Sequence, residues 1–271
     1  GVMGISKVCS VGNKIDVDEC DLLPWLLDDQ DTDVIGLYLE SLLDGRRFLD
    51  ICRRADKPIV VLKGGKSPKG AQAAMSHTAS LAGDNRIIRG AFAQAGIVEA
   101  EDFKEMMDLC RTLSLFPAHR QERPGRIAIL TFSGGAGIVS ADFIAAHGLE
   151  TAELSETTKR VIGRLFTGIH SGNNRPITLL VVINQSLTAA FADPQVDAVF
   201  IHAFVGNFRI RLDLEDVARQ SRETGKPVFI WLLGRRDDAF QFQNEARRLG
   251  VPAYPELGRA VACMAAVLRK R

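Results

Sequence analysis

The chain has 271 residues, 46% apolar and 25% charged, with a formal net charge of +1 and 7% aromatic residues. That length makes one large domain or two ordinary ones, and the composition is globular rather than disordered, collagen-like or disulfide-stapled. A charge so close to zero argues against a nucleic-acid or membrane-surface partner, and so few aromatics argue against a base-stacking platform.

The five cysteines (Cys9, Cys20, Cys52, Cys110 and Cys263) are scattered and form no Cys-x-x-Cys pair. Neither a zinc site nor a disulfide framework is expected, and a reducing, cytoplasmic setting is. No His/Cys/Asp/Glu group has metal-ligand spacing. No apolar run reaches the 18 residues of a membrane span. Residues Gly1–Gly12 lack the charged start, apolar stretch and small-residue cleavage site of a signal peptide.

In chain order, the first half predicts strands at Lys7–Val11, Val34–Leu39, Ile59–Lys63 and Ile97–Val98. Helices are predicted near Asp18–Leu27, Arg46–Ala55, Asn85–Ala95 and Phe103–Leu115. The second half predicts strands at Ile127–Thr131, Glu150–Leu154, Ile177–Ile183, Ala198–His202 and Val228–Leu232. Its helices fall near Ala136–His147, Glu156–Leu165, Leu214–Glu223, Ala239–Leu249 and Arg259–Leu268. Short strands alternating with helices of this length predict an α/β fold of parallel sheets.

The halves repeat each other. Asp33-Val-Ile-Gly-Leu-Tyr-Leu39 matches Asp197-Ala-Val-Phe-Ile-His-Ala203, and Lys57-Pro-Ile-Val-Val-Leu62 matches Lys226-Pro-Val-Phe-Ile-Trp231. Gly96-Ile-Val98 likewise matches Gly250-Val-Pro252. Two similar doubly wound, flavodoxin-like domains are expected, 1–120 and 121–271, joined through Phe116–Arg126 with its two prolines. The second half opens with a strand, the loop Thr131-Phe-Ser-Gly-Gly-Ala-Gly137 and a helix that the first half does not match. The first domain is therefore expected to lack one strand-loop-helix unit, which leaves an edge of its sheet open.

Open parallel sheets bind ligands beyond the C-terminal ends of their strands. The stretch Lys63–Gly83 leaves such an end and is far longer than its counterpart Leu233–Asp237. It carries His77 between Ser76 and Thr78, with Ser80 beyond. An imidazole can take a phosphoryl group while hydroxyls and backbone N–H groups hold the phosphate oxygens; an ordinary surface histidine is the alternative. Lys63, Lys66 and Lys69 would attract anions.

Ser133-Gly134-Gly135-Ala136-Gly137 turns a strand into a helix, whose N-terminus offers N–H groups and partial positive charge to a phosphate. Tight packing explains such glycines equally well. The turn fits neither Walker A, Gly-x-Gly-x-x-Gly nor Gly-x-Ser-x-Gly. Glu40 ends a strand on the His77 side, where a carboxylate could orient the imidazole or simply face water. His147 reads as a helix C-cap, His202 as a core residue, and His119 and His170 as loop residues.

Together these segments resemble the NDP-forming acyl-CoA synthetases, relatives of succinyl-CoA synthetase. The resemblance rests on Ser10-Val-Gly-Asn-Lys-Ile-Asp-Val-Asp18, Gly36-Leu-Tyr-Leu-Glu40, Gly45-Arg-Arg-Phe48 and Lys57–Gly65. It continues through Ser76-His-Thr-Ala-Ser-Leu-Ala-Gly83, Ser133–Gly137, His147–Glu150 and Asp193–Val199, nearly the whole chain. It implies an acid-thiol ligase, ADP- or GDP-forming, that interconverts an acyl-CoA, a nucleoside diphosphate and phosphate with an acid, CoA and a nucleoside triphosphate. In that pattern His77 matches the phosphorylated histidine and Glu40 the carboxylate that holds it. Ser76, Thr78 and Ser133–Gly137 would contact phosphate.

The resemblance also implies CoA and ATP/ADP (with Mg) as substrates of the complete enzyme, with no cofactor bound by this portion alone. The expected partners are a CoA-binding Rossmann domain, an ATP-grasp domain or subunit, a small carboxylic acid and an oligomeric neighbour. Neither of those domains nor the first domain's Ser-x-Ser-Gly unit occurs in the chain, so turnover by this portion alone is not expected. Asn173-Asn-Arg-Pro-Ile-Thr-Leu-Leu180 stands where the family shows Asn-Pro-Val-Asp-Leu. A non-catalytic regulatory or scaffold module of the same fold, such as the synthetase half of a protein lysine acyltransferase, is the alternative; the presence of His77 and Glu40 argues against it.

Overall fold

The computed structural model describes residues 4–70, 72, 84–116, 125–131, 133–170, 176–206 and 212–268, with the backbone alone for 165–170 and 176–182. The chain forms two compact units, Gly1–Ala118 and His119–Arg271.

The first unit runs α1 (Glu19–Asp28), β1 (Ile35–Leu39), α2 (Gly45–Arg54), β2 (Ile59–Lys63), α3 (Asn85–Gln94), β3 (Val98–Ala100) and α4 (Phe103–Leu115). Aspartates start its helices. Asp18, Asp44, Asp84 and Asp102 each accept an N–H of the first turn, and Asp21 returns the bond to the Asp18 N–H as a capping box. These bonds satisfy donors that would otherwise lack partners at a helix start.

The three strands pair in parallel in the order β1-β2-β3. Ile35, Leu39, Ile59, Val61 and Ile97 point to one face and pack on Cys20, Leu23, Phe48, Cys52 and Phe92 of α1, α2 and α3. Helix α4 packs across all three strands. It approaches β1 so closely at Gly36 that an added Cβ would lie 3.1 Å from Cys110 Sγ. Among the described residues nothing pairs with the outer edge of β1.

The second unit runs β4 (Arg126–Leu130), α5 (Gly134–Ala146), β5 (Glu150–Thr151), α6 (Glu156–His170) and α7 (Pro176–Ala192). It continues with β6 (Ala198–Val205), α8 (Leu214–Thr224), β7 (Val228–Gly234), α9 (Arg236–Arg248), β8 (Ala253–Tyr254) and α10 (Leu257–Leu268). Its sheet is all parallel in the order β5-β4-β6-β7-β8. Ala128, Val199, Ile201, Ala203, Val228, Ile230 and Leu232 pack on α7, α8 and α9, while α10 packs against β7, β8 and α5. The sheet position of β1 in the first unit corresponds to β6 here, which is paired on both edges.

The repeated Lys-Pro pair does the same work twice. Lys57 Nζ donates to Leu26 O (3.3 Å) and Asp29 O (2.5 Å) at the end of α1. Lys226 Nζ donates to Phe191 O (2.7 Å) and Asp193 O (2.6 Å) at the end of α7. Each ammonium satisfies carbonyls that a helix C-terminus leaves open.

Several expected elements differ. Ile177–Ile183 is not a strand but the start of α7. Its β-branched run favours a strand locally, but every central strand of the second sheet already has its neighbours, and the apolar pattern continues to buried Leu187, Ala190 and Phe191 at helical spacing. Lys7–Val11 joins no sheet. It is held by side chains instead, Lys7 Nζ to Asp29 Oδ2 at 2.7 Å and Ser6 Oγ to Thr32 Oγ1 at 2.8 Å. The Glu150–Leu154 strand is only Glu150–Thr151, and the Ile97–Val98 strand is Val98–Ala100. His170 lies in α6, not in a loop.

The ends of β6 and β7 meet at Gly234, whose φ of +141° is one that L side chains rarely adopt. An added Cβ would lie 1.9 Å from Val205 O, a backbone atom with no freedom to move aside. Gly234→Ala is expected to destabilise the second unit by about 3 kcal/mol or more. Urea denaturation followed by far-ultraviolet circular dichroism and tryptophan fluorescence measures the loss.

Candidate functional site

The long stretch 73–83, and with it Ser76, His77 and Thr78, lies outside the described residues, as does His119. The elements that frame its entry are described. β1 and β2 run in parallel and in register, so Leu39 pairs with Lys63 and both strands end at one edge. Glu40 follows β1 there, half-buried. Gly64 begins the long connection after β2, and an added Cβ on it would lie 3.3 Å from Tyr38 Oη and 3.5 Å from Glu40 Cγ. The connection that carries His77 thus leaves its strand against the Glu40 side chain.

Among the described residues, Tyr38 and Lys63 bond to Glu40 and Lys14 to the residue after it. Tyr38 Oη donates to Glu40 Oε1 at 3.1 Å, and burial together with that carboxylate raises the phenol's pKa. Lys63 is buried at 4% exposure and points its ammonium to the strand ends, donating to Glu40 O at 2.6 Å and to Gly64 O. Burial lowers its pKa, with the nearby Glu40 carboxylate acting in the opposite sense. Lys14, at a left-handed φ of 56°, donates to Ser41 O at 2.8 Å and pairs with the buried Glu19 at 2.7 Å. The Ser10–Asp18 stretch is thereby tied to the residue after Glu40.

The lysines were expected to draw anions; two do otherwise. Lys63 is committed to carbonyls. Lys66 pairs with Glu99 (2.9 Å) and Glu101 (3.1 Å), and Arg89 shares both carboxylates. Burial works against the Lys66 charge, but its two carboxylate partners outweigh burial and raise its pKa. Lys69 is exposed.

In the second unit the strand-to-helix turn is built as read. Ser133 caps α5, its Oγ accepting the Ala136 N–H at 3.4 Å. Gly137 donates to Ser133 O at 3.0 Å, and the Ser133 N–H goes to Thr131 Oγ1 at 3.0 Å. Of the five turn residues expected to meet phosphate, Ser133, Ala136 and Gly137 therefore spend their N–H groups inside the turn. Gly134 and Gly135 are exposed, and their N–H groups bond to no described residue. A Cβ at either would meet nothing within 4 Å. These two amides are what the turn offers to an anion.

The turn is also anchored from below by a residue expected to be plain core. His202, at 6% exposure, places Nδ1 3.0 Å from Thr131 Oγ1, and its ring lies against Trp231 with centroids 4.6 Å apart and the planes tilted by 33°. His147 caps α5 as expected, its Nδ1 2.8 Å from Phe143 O. Glu40 and the Ser133–Gly137 turn belong to different units. Among the described residues no group of His, Cys, Asp and Glu is arranged to hold a metal, and no helix is long and apolar enough to cross a membrane.

Two parallel α/β units, the second with the doubly wound strand order β5-β4-β6-β7-β8, define the class, and the comparisons with known proteins agree. The family model of the succinyl-CoA ligase-like flavodoxin domain matches residues 1–113. Acetate–CoA ligase [ADP-forming] II of Archaeoglobus fulgidus is 33% identical over 98% of this chain and 40% of its own length. Acetate–CoA ligase [ADP-forming] I subunit alpha of Pyrococcus furiosus is 33% identical over 98% of this chain and 59% of its own.

Among solved structures, the dinucleotide-forming acetyl-coenzyme A synthetase 1 of Ca. Korarchaeum cryptofilum, in complex with phosphate and ADP, superposes with a TM-score of 0.76. It is 33% identical and covers 95% of this chain and 57% of its own. The chain belongs to the NDP-forming acyl-CoA synthetase family, and the two curated relatives just described are ADP-forming acetate–CoA ligases. It spans about half the length of those it matches.

Lys63→Met removes the ammonium shared by the two strand ends and is expected to cost about 1–3 kcal/mol at neutral pH, read by urea denaturation. The folded chain releases the Lys63 proton at lower pH than the unfolded chain. Between that depressed value and the ordinary lysine value of 10.5 the unfolded state binds more protons, so this group's contribution to stability rises with pH. The rise is expected in the wild type and absent from Lys63→Met.

Proposed function

We propose that this chain is the phosphoryl-carrying portion of an ADP- or GDP-forming acyl-CoA synthetase. In the first step phosphate attacks the acyl-CoA thioester, forming acyl phosphate and releasing CoA. The His77 imidazole then attacks the phosphorus, the P–O bond to the acyl oxygen breaks, and the free acid leaves. A nucleoside diphosphate oxygen finally attacks phosphohistidine, giving the triphosphate and regenerating the imidazole. Glu40 positions that imidazole and stabilises its cationic phosphorylated form. The Gly134 and Gly135 amides, at the positive end of α5, receive phosphoryl oxygens. Ser76 and Thr78 add hydroxyl contacts.

One observation carries the reading. The connection that bears Ser76-His77-Thr78 departs from β2 against the Glu40 side chain, in a chain that is similar along 98% of its length to an ADP-forming acetate–CoA ligase. The CoA-binding and ATP-grasp parts would come from outside the 271 residues, in keeping with relatives named as an alpha subunit.

Incubation of the chain with radiolabelled acetyl phosphate, or with nucleoside triphosphate and an ATP-grasp subunit, is expected to leave acid-labile, base-stable phosphate on the protein. His77→Ala should abolish the label; a label that persists removes His77 from the mechanism. Glu40→Gln should slow labelling by about 10- to 100-fold. A wild-type chain that takes no label under either condition favours the non-catalytic module of the same fold.

A further inference from the structure

Thr131, His202 and Trp231 form one row across the second sheet. The registers pair Leu130 with Ile201 and His202 with Trp231, so Thr131, one residue past β4, comes beside His202. Thr131 Oγ1 then lies 3.0 Å from each of three atoms: Ser133 N, Ser133 O and His202 Nδ1. A hydroxyl has one proton to give and two lone pairs to receive with. Ser133 N can only donate and Ser133 O can only accept. The hydroxyl proton therefore goes to Ser133 O, and the two lone pairs take the Ser133 N–H and a proton on His202 Nδ1.

The other tautomer is worse on two counts. It would set two acceptors against each other at Ser133 O, and it would put a proton on Nε2, which is buried without a partner among the described residues. Thr131 is also confined from its methyl side, because a Cβ on Gly137 would come within 3.1 Å of Thr131 Cγ2.

We propose that His202, as the neutral Nδ1–H tautomer, is the positioning residue of the Ser133–Gly137 turn. It fixes the Thr131 hydroxyl, which fixes both backbone groups of Ser133 and so the direction in which the Gly134 and Gly135 amides point. Burial without a counter-charge lowers the imidazole pKa, which keeps the ring neutral beneath the turn. The functional part of the proposal rests on the reading that these two amides receive an anion; the hydrogen-bond strut itself does not.

The test uses the full chain, labelled with 15N, at neutral pH. Long-range histidine ring spectra are expected to place the His202 proton on Nδ1. Amide exchange of Ser133 should rise about two- to tenfold in His202→Phe and in Thr131→Val, the range expected for one internal hydrogen bond. His202→Asn keeps a donor at the Nδ1 position and should restore wild-type exchange. Inorganic phosphate should shift the Gly134 and Gly135 amides, with a midpoint about two- to tenfold higher in the two disrupting variants and recovered in His202→Asn.

A proton on Nε2, or Ser133 exchange unchanged in Thr131→Val, overturns the proposal; Thr131→Val keeps it testable even where His202→Phe does not fold. A wild-type chain whose two amides ignore phosphate overturns the anion reading of this turn, while the tautomer and exchange results still decide the strut.

Discussion

Parallel pairing is the constraint from which the rest follows. It sends the C-terminal ends of β1 and β2, and of β4, β6 and β7, to one edge of each sheet. Backbone groups just past those ends have no ladder partners, and buried ones must find partners elsewhere. The two units solve this with different chemistry. In the first, the buried Lys63 ammonium bridges the Glu40 and Gly64 carbonyls. In the second, the Thr131 hydroxyl, bonded in turn to His202, holds both backbone groups of Ser133. In each case the residue that solves the backbone problem lies beside a residue of the candidate site.

The repeat explains why these devices sit where they do. Tyr38 and His202 occupy equivalent positions of Asp33–Leu39 and Asp197–Ala203, and each reaches a polar partner at a strand end, Glu40 in one unit and Thr131 in the other. Their surroundings differ because the sheets differ. β6 lies between β4 and β7, so His202 is closed over, whereas β1 is an edge among the described residues and Tyr38 is about half exposed against the Phe103 ring. Structural positions are held alike on both sides of the repeat, as Lys57 and Lys226 show, while the strand-end positions diverged.

What the sequence disclosed follows the same division. Alternation of apolar strands with helices, the paired Lys-Pro starts, the His147 cap and the glycine turn are local signals, and each stands in the structure as read. The strand expected at Ile177–Ile183 failed because local β-branched content does not know how many places a sheet has left. The Lys7–Val11 strand failed because pairing is a tertiary matter. Lys63 and Lys66 were read as free cations, since a sequence shows charge but not the carbonyls and carboxylates gathered around it. His202 was legible only as an apolar-run histidine; its role depends on a register that brings residue 131 beside residue 202. Lys14 stood in a recognised stretch, but nothing local indicated that its ammonium would reach Ser41 O.

The charge states of the two devices bear on phosphoryl chemistry in opposite and complementary ways. On the proposed reading Glu40 holds a cationic phosphohistidine, and the Lys63 ammonium beside it is fixed by backbone carbonyls. The helix start needs the reverse. An imidazolium beneath the Gly134 and Gly135 amides would add a full charge to the partial charge of the α5 dipole and hold an anion too firmly to pass it on. A neutral histidine supplies the same geometry without that charge. A phosphoryl carrier works only when the group is bound on arrival and released at departure. For such a carrier, a buried cation behind the carboxylate and an uncharged strut behind the amides are the arrangement that electrostatics favours.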